Sequence, residues 1–121
     1  MTNQEILEYN KRCALFLGAT FAEGWSEHSI TPVYDFKRKL NEPTDKWATT
    51  KYQVKTMKFH LDWNWIMEVV AKINSISNLK KQENTTQSSM KYEIQYVLKR
   101  ANKEKTIKVI NKFLIWYNEQ Q

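Results

Sequence analysis

Glycine, proline, histidine and cysteine are all scarce in this chain of 121 residues, at two, two, two and one copies. Each scarcity excludes something. Gly18 and Gly24 alone cannot form a glycine-rich loop to cradle a phosphate. A single cysteine, Cys13, forbids any disulfide within the chain and fits a reducing compartment. With no CxxC and only His28 and His60 beside Cys13, a closed zinc site would need scattered carboxylates, so neither metal nor cofactor is expected. No apolar run approaches the ~18 residues of a membrane span, and the polar start Met1-Thr-Asn-Gln-Glu5 lacks the features of a secretory leader. A soluble intracellular protein of one domain is the expectation, since a chain this long can bury about two-thirds of its unfolded surface without staples.

Aromatic side chains and positive charge are plentiful. Five Trp, six Tyr and five Phe accompany a net charge of +6. The charge is unevenly spread. Residues 1–76 carry ten basic and nine acidic side chains, whereas residues 77–121 carry nine basic and four acidic. Concentration of the excess into the last third points to an anion-facing surface; a merely solvating role is the plain alternative.

Periodicity predicts an α+β fold, three helices packed on a small, mostly antiparallel sheet. The first helix runs from Asn3 to Leu17, with Thr2 and Glu5 as a capping box and Gly18 as its stop. Cys13 falls on its apolar stripe and reads as a small buried hydrophobe. Residues 20–59 read as strand and loop, with residues 37–50 an exposed loop around Trp47 and a strand from Tyr52 to near Phe59. Asp62 caps a strongly apolar second helix to Ile76. Residues 77–89 read as a flexible polar loop, and Met90, Tyr92, Ile94, Tyr96 and Leu98 alternate with polar neighbours as a strand that buries its tyrosines. A third helix spans Asn102 to Glu119, with Val109 and Trp116 off its main stripe.

The segment His60-Leu-Asp-Trp-Asn-Trp-Ile-Met-Glu-Val-Val70, with the closing Phe113-Leu-Ile-Trp-Tyr-Asn-Glu119, resembles a group of small phage and prophage proteins. They share an H-x-D-W-x-W-x-M-x-V-V helix entrance and an F-x-x-W-Y-N-E terminus. More loosely, the residues from Asp62 to Val70 are similar to the phage alpha-beta-alpha sandwich domain. The resemblance implies a viral origin and a fold type, but no reaction, and with a viral origin the expected location is the host cytoplasm. An alternating last strand departs from a sandwich, in which a strand between two helical layers is apolar on both faces.

Catalysis has little support in the residues. Cys13 and His60 are the one nucleophile and base that can be paired, and Cys13 sits on a buried stripe. His60 and Asp62 read as a packing group and a helix cap. The sharper candidate is the basic cluster Lys99, Arg100, Lys103 and Lys105 at the start of the last helix, where the dipole disfavours cations by ~0.3–1 kcal/mol each. A bound anion would convert that defect into an attraction. Trp47 and Tyr52 are the chosen stacking partners for a flat base, with Trp25 and Trp116 also considered. The leading expectation is a non-enzymatic phage accessory protein that binds an anionic nucleotide-like small molecule. By analogy with other small phage proteins, it would act as an anti-defence sponge for a host immune signal. The alternatives are a module that inhibits a host protein through Val109 and Trp116, and a nucleic-acid-binding accessory protein. A homo-oligomer is open under each.

Overall fold

The structure, a computed structural model, describes residues 1–39, 47–76 and 85–120, with the side chains of 37–39, 47–50 and 85 left aside. It is α+β, with four helices and a three-stranded antiparallel sheet. The expected helix count of three was therefore one too few. The backbone forms two compact units, Met1–Met57 and Lys58–Gln121.

The first unit begins with α1 (Asn3–Phe16). Its capping box is complete: Glu5 N–H donates to Thr2 Oγ1, and Thr2 N–H donates to Glu5 Oε1, each at 3.1 Å. Tyr9, Asn10, Cys13 and Ala14 are the buried residues of this helix. Gly18 ends it with φ of 94°, a left-handed value that a β-carbon would strain. Strands β1 (Thr20–Phe21), β2 (Val33–Lys39) and β3 (Trp47–Gln53) follow in sheet order 1-2-3. Tyr34 and Phe36 are buried on β2, two residues apart and so on one face. The Phe21 ring stacks on Tyr34 at 5.0 Å, and Tyr52 meets Phe36 edge-on at 6.1 Å. A 3₁₀ turn at Val54–Thr56 then leads to Met57, whose carbonyl accepts from Asn10 Nδ2 at 3.4 Å and so ties α1 to the end of the unit.

Two expectations for this stretch change. Of the loop expected over 37–50, residues 37–39 and 47–50 are strand instead, with Lys39 paired to Trp47 across β2 and β3. Residues 40–46 lie outside the described residues. The strand expected from Tyr52 toward Phe59 ends at Gln53.

The second unit is helical throughout its described elements: α2 (Trp63–Ser75), α3 (Thr85–Lys99) and α4 (Lys103–Glu119). Asp62 caps α2 as expected, accepting from Asn64 N–H at 2.8 Å. Trp65, Ile66, Val69, Val70 and Ile73 are buried on it, and Phe59 meets Trp65 edge-on at 4.8 Å. On α4 the buried residues are Thr106, Ile107, Ile110, Phe113 and Leu114. Lys91 Nζ donates to the carbonyl of Ile76 just past α2, and Gln95 Nε2 donates to Asn74 Oδ1 at 3.2 Å. An ion pair of 3.7 Å joins Glu93 of α3 to Lys112 of α4.

Helix α3 overturns the strand expected at 90–99. Its apolar residues satisfy two periods at once. Positions 90, 92, 94, 96 and 98 alternate, but Met90, Ile94, Val97 and Leu98 also fall at i, i+4, i+7 and i+8. Burial follows the helical set: Gln87, Ile94 and Val97 are buried, while Tyr92 and Tyr96 are exposed. Fifteen residues without Gly or Pro, the last ten of them holding two Lys and one each of Glu, Gln, Met and Leu, permit the helix. The same helix takes in residues 85–89 of the expected polar loop; residues 77–84 lie outside the described residues.

Candidate functional site

Helices α3 and α4 meet in a tight corner at Arg100–Asn102. Arg100 N–H donates to Val97 O at 3.2 Å, and Ala101 N–H donates to Leu98 O at 2.9 Å. Ala101 takes a φ of 50°, the one positive φ outside glycine among the described residues. Asn102 caps α4, its side chain accepting from Lys105 N–H at 3.0 Å, while Thr106 Oγ1 donates to Asn102 O at 2.7 Å. The corner therefore turns the chain sharply and presents side chains from the end of one helix beside those from the start of the next.

Four of the predicted site residues belong to this corner, in two different settings. Lys99 lies in the last turn of α3 and Arg100 just beyond it. There the negative dipole end stabilises cations, so these two are not the misplaced charges that the sequence suggested. Lys103 and Lys105 do stand in the first turn of α4, with Glu104 between them as a compensating acid. Glu104 pairs with Lys108 at 3.3 Å. The dipole conflict is thus reduced to two lysines, and it no longer singles out the site.

A different arrangement does. Tyr92 and Tyr96 on α3 and Arg100 just past its end recur every four residues and are all exposed, the tyrosines at 74% and 49%. The Arg100 guanidinium lies over the Tyr96 ring, 4.4 Å from its centroid, and also donates to the Tyr96 hydroxyl. Beside them Tyr96, Val97, Arg100, Asn102 and Lys105 line a recess of about 350 Å³. Lys103 does not line it; its Nζ sits 5.8 Å from the centroid of Trp63 at the start of α2. Tyr96 was missed because the strand reading buried it. Reading residues 90–100 at a spacing of four would have put it next to Arg100.

The predicted aromatic partners belong to the first unit. Trp47 and Tyr52 lie on β3 of the first unit, not in the unit that carries the lysines. The side chain of Trp47 is outside the described residues, and Tyr52 is half-buried against Phe36. No protein-family model, curated protein or solved structure matches the chain. Function has to come from the side chains themselves.

The remaining candidates have plain settings. Val109 and Trp116 are both half-buried, and Trp116 leans on Phe113 at 5.8 Å. Cys13 is fully buried, and loss of solvent pushes its thiol well above the ordinary cysteine value, so the nucleophilic thiolate is suppressed. His60 is half-buried, which lowers its pKa from the ordinary 6.5. Among the described residues no three His, Cys, Asp or Glu side chains gather where they could hold a metal ion. No helix among them is long and apolar enough to cross a membrane.

Proposed function

We propose that the chain is a non-enzymatic phage accessory protein that binds an anionic, nucleotide-like ligand at the α3–α4 corner. The observation that carries this reading is the exposed row Tyr92, Tyr96 and Arg100 leading into the recess shared with Lys105 and Asn102. Tyr92, 74% exposed, gains little for the fold, and with Tyr96, which Arg100 covers only in part, it offers a flat surface to a base. Arg100 and Lys105 offer charge to a phosphate. The guanidinium, held against Tyr96, has little rotamer freedom left to lose on binding. Asn102 adds a polar side chain that can orient a sugar or phosphate oxygen. The recess is at the small end of ligand pockets, which suits one nucleotide or a cyclic dinucleotide seated in part on the tyrosine row.

The viral part of the proposal rests on the resemblance carried by the His60–Val70 and Phe113–Glu119 segments, and the sponge role on analogy. Burial of Cys13 supports the absence of nucleophilic chemistry. The row of two tyrosines also favours a second ligand form, a short single strand whose successive bases stack on Tyr92 and Tyr96. A protein-interaction patch at Val109 and Trp116 has weaker support, because both side chains are half covered already.

A thermal-shift panel of cyclic dinucleotides, cyclic ADP-ribose isomers and oligo(dT) tests the reading. A ligand at 100 times its dissociation constant adds ~2.7 kcal/mol, several degrees for a chain of this size. The stabilisation should vanish in Arg100→Ala and Lys105→Ala. A steep loss of affinity with salt would assign the strand form. No stabilisation by any member refutes the proposal.

A further inference from the structure

The first unit carries a second cavity, separate in sequence from the α3–α4 corner. It is a groove of about 470 Å³ between α1, the segment 27–32, Tyr34 and the end of β3, within the size range of small-molecule sites. Leu7, Ile30, Pro32 and Val54 give it apolar walls. Ile30 is 99% exposed at its rim, an isoleucine that contributes nothing to the packing of the free protein.

Two further observations define what would fill it. Tyr34, part of the lining, is 1% exposed, and its buried hydroxyl has no hydrogen-bond partner. A phenol taken out of water without a partner is costly, and such groups in folded proteins call for an explanation. The charges around the groove are also unequal in their engagement. Glu8 is held by Arg12 at 3.8 Å and by Gln4 at 3.3 Å, and Glu27 faces His28 at 3.5 Å. The ammonium groups of Lys11 and Lys55 have neither ion pair nor hydrogen bond among the described residues.

We infer that this groove binds a small amphipathic carboxylic acid. Its apolar body lies along Leu7, Ile30, Pro32 and Val54, its oxygen accepts from the Tyr34 hydroxyl, and its negative charge is met by Lys11 and Lys55. A neutral apolar molecule would leave the hydroxyl and both lysines unanswered, and a cation would leave the lysines so as well.

The test is calorimetric titration of the full chain with octanoate, phenylacetate and indole-3-acetate, and with the primary amide of each. At least one acid should bind, and its amide should bind about tenfold more weakly, the usual loss when a charged hydrogen-bond partner becomes neutral. Tyr34→Phe should lower the affinity of that acid about tenfold while leaving the melting temperature of the free protein unchanged or higher, since the hydroxyl has no partner to lose. Lys11→Gln with Lys55→Gln should weaken the acid and leave the amide unaffected. Failure of all three acids to bind, equal binding of acid and amide, or full affinity in Tyr34→Phe overturns the proposal. So does a marked drop in melting temperature in Tyr34→Phe, because the hydroxyl would then be bonded within the fold.

Discussion

Helix α3 and the strand first expected in its place make opposite demands on two neighbouring residues. In the structure Ile94 is fully buried and Tyr92 is 74% exposed, whereas a strand would put both on the buried face. Truncating Ile94 to Ala removes three carbons from a buried site, worth ~0.8 kcal/mol each in transfer alone. A cavity left unfilled adds to this, and the better helix propensity of Ala returns about 0.5 kcal/mol. The net loss should be roughly 2–4 kcal/mol. For a chain of this length that corresponds to a drop of about 8–15 °C in melting temperature. Tyr92→Ala loses little contact and gains propensity, so it should stay within about 0.5 kcal/mol of the wild type. Thermal unfolding followed by far-ultraviolet circular dichroism at 222 nm reads both. Equal destabilisation by the two substitutions, or a larger effect at Tyr92, would refute the helical account of this segment.

Two more outcomes follow from individual residues. Ala101 holds a φ of 50°, a conformation costing an L side chain ~1–2 kcal/mol, while glycine adds about 0.4–1 kcal/mol of unfolded-state entropy. Ala101→Gly should therefore stabilise by about 0.5 kcal/mol, read as a rise of about 2 °C; a fall would show that the methyl group makes a contact worth more than the strain. His60 is held below its ordinary pKa of 6.5 by burial, so the folded state binds fewer protons than the unfolded chain once the pH falls below that value. Stability is then complete above about pH 6.5 and declines as the pH drops toward the lowered folded-state value. Between about pH 7 and about pH 5 the wild type should lose more melting temperature than His60→Asn, and parallel pH profiles would contradict this.

The parts of the fold legible in the sequence were those signalled by local chemistry. Thr2 with Glu5, the Gly18 stop and the Asp62 cap all place helix ends by hydrogen bonds that involve neighbours in the chain. The segment 85–99 was not legible from alternation, because its apolar residues obey the strand and helix periods together and only long-range burial of Gln87, Ile94 and Val97 separates them. That one ambiguity propagated to the site. It hid Tyr92 and Tyr96 in an imagined core, and it assigned Lys99 and Arg100 to the start of a helix when they stand at the end of another. The basic cluster itself was visible in composition. Trp47 and Tyr52, named with it, belong to the first unit, and nothing in the sequence states that a helix brings Tyr96 next to Arg100. Tyr34 was equally silent: a tyrosine in a strand reads as core, and a hydroxyl left without a partner is visible only once its surroundings are in place.

The central claim, an anion site on the α3–α4 corner, is tested most directly by amide chemical-shift mapping of isotopically labelled protein during titration with a cyclic dinucleotide and, separately, with oligo(dT). At least one ligand should move the amides from Tyr92 to Lys105, and Arg100→Ala should abolish those shifts while leaving the rest of the spectrum in place. If neither ligand perturbs that segment, or if the shifts persist without Arg100, the corner is not the site.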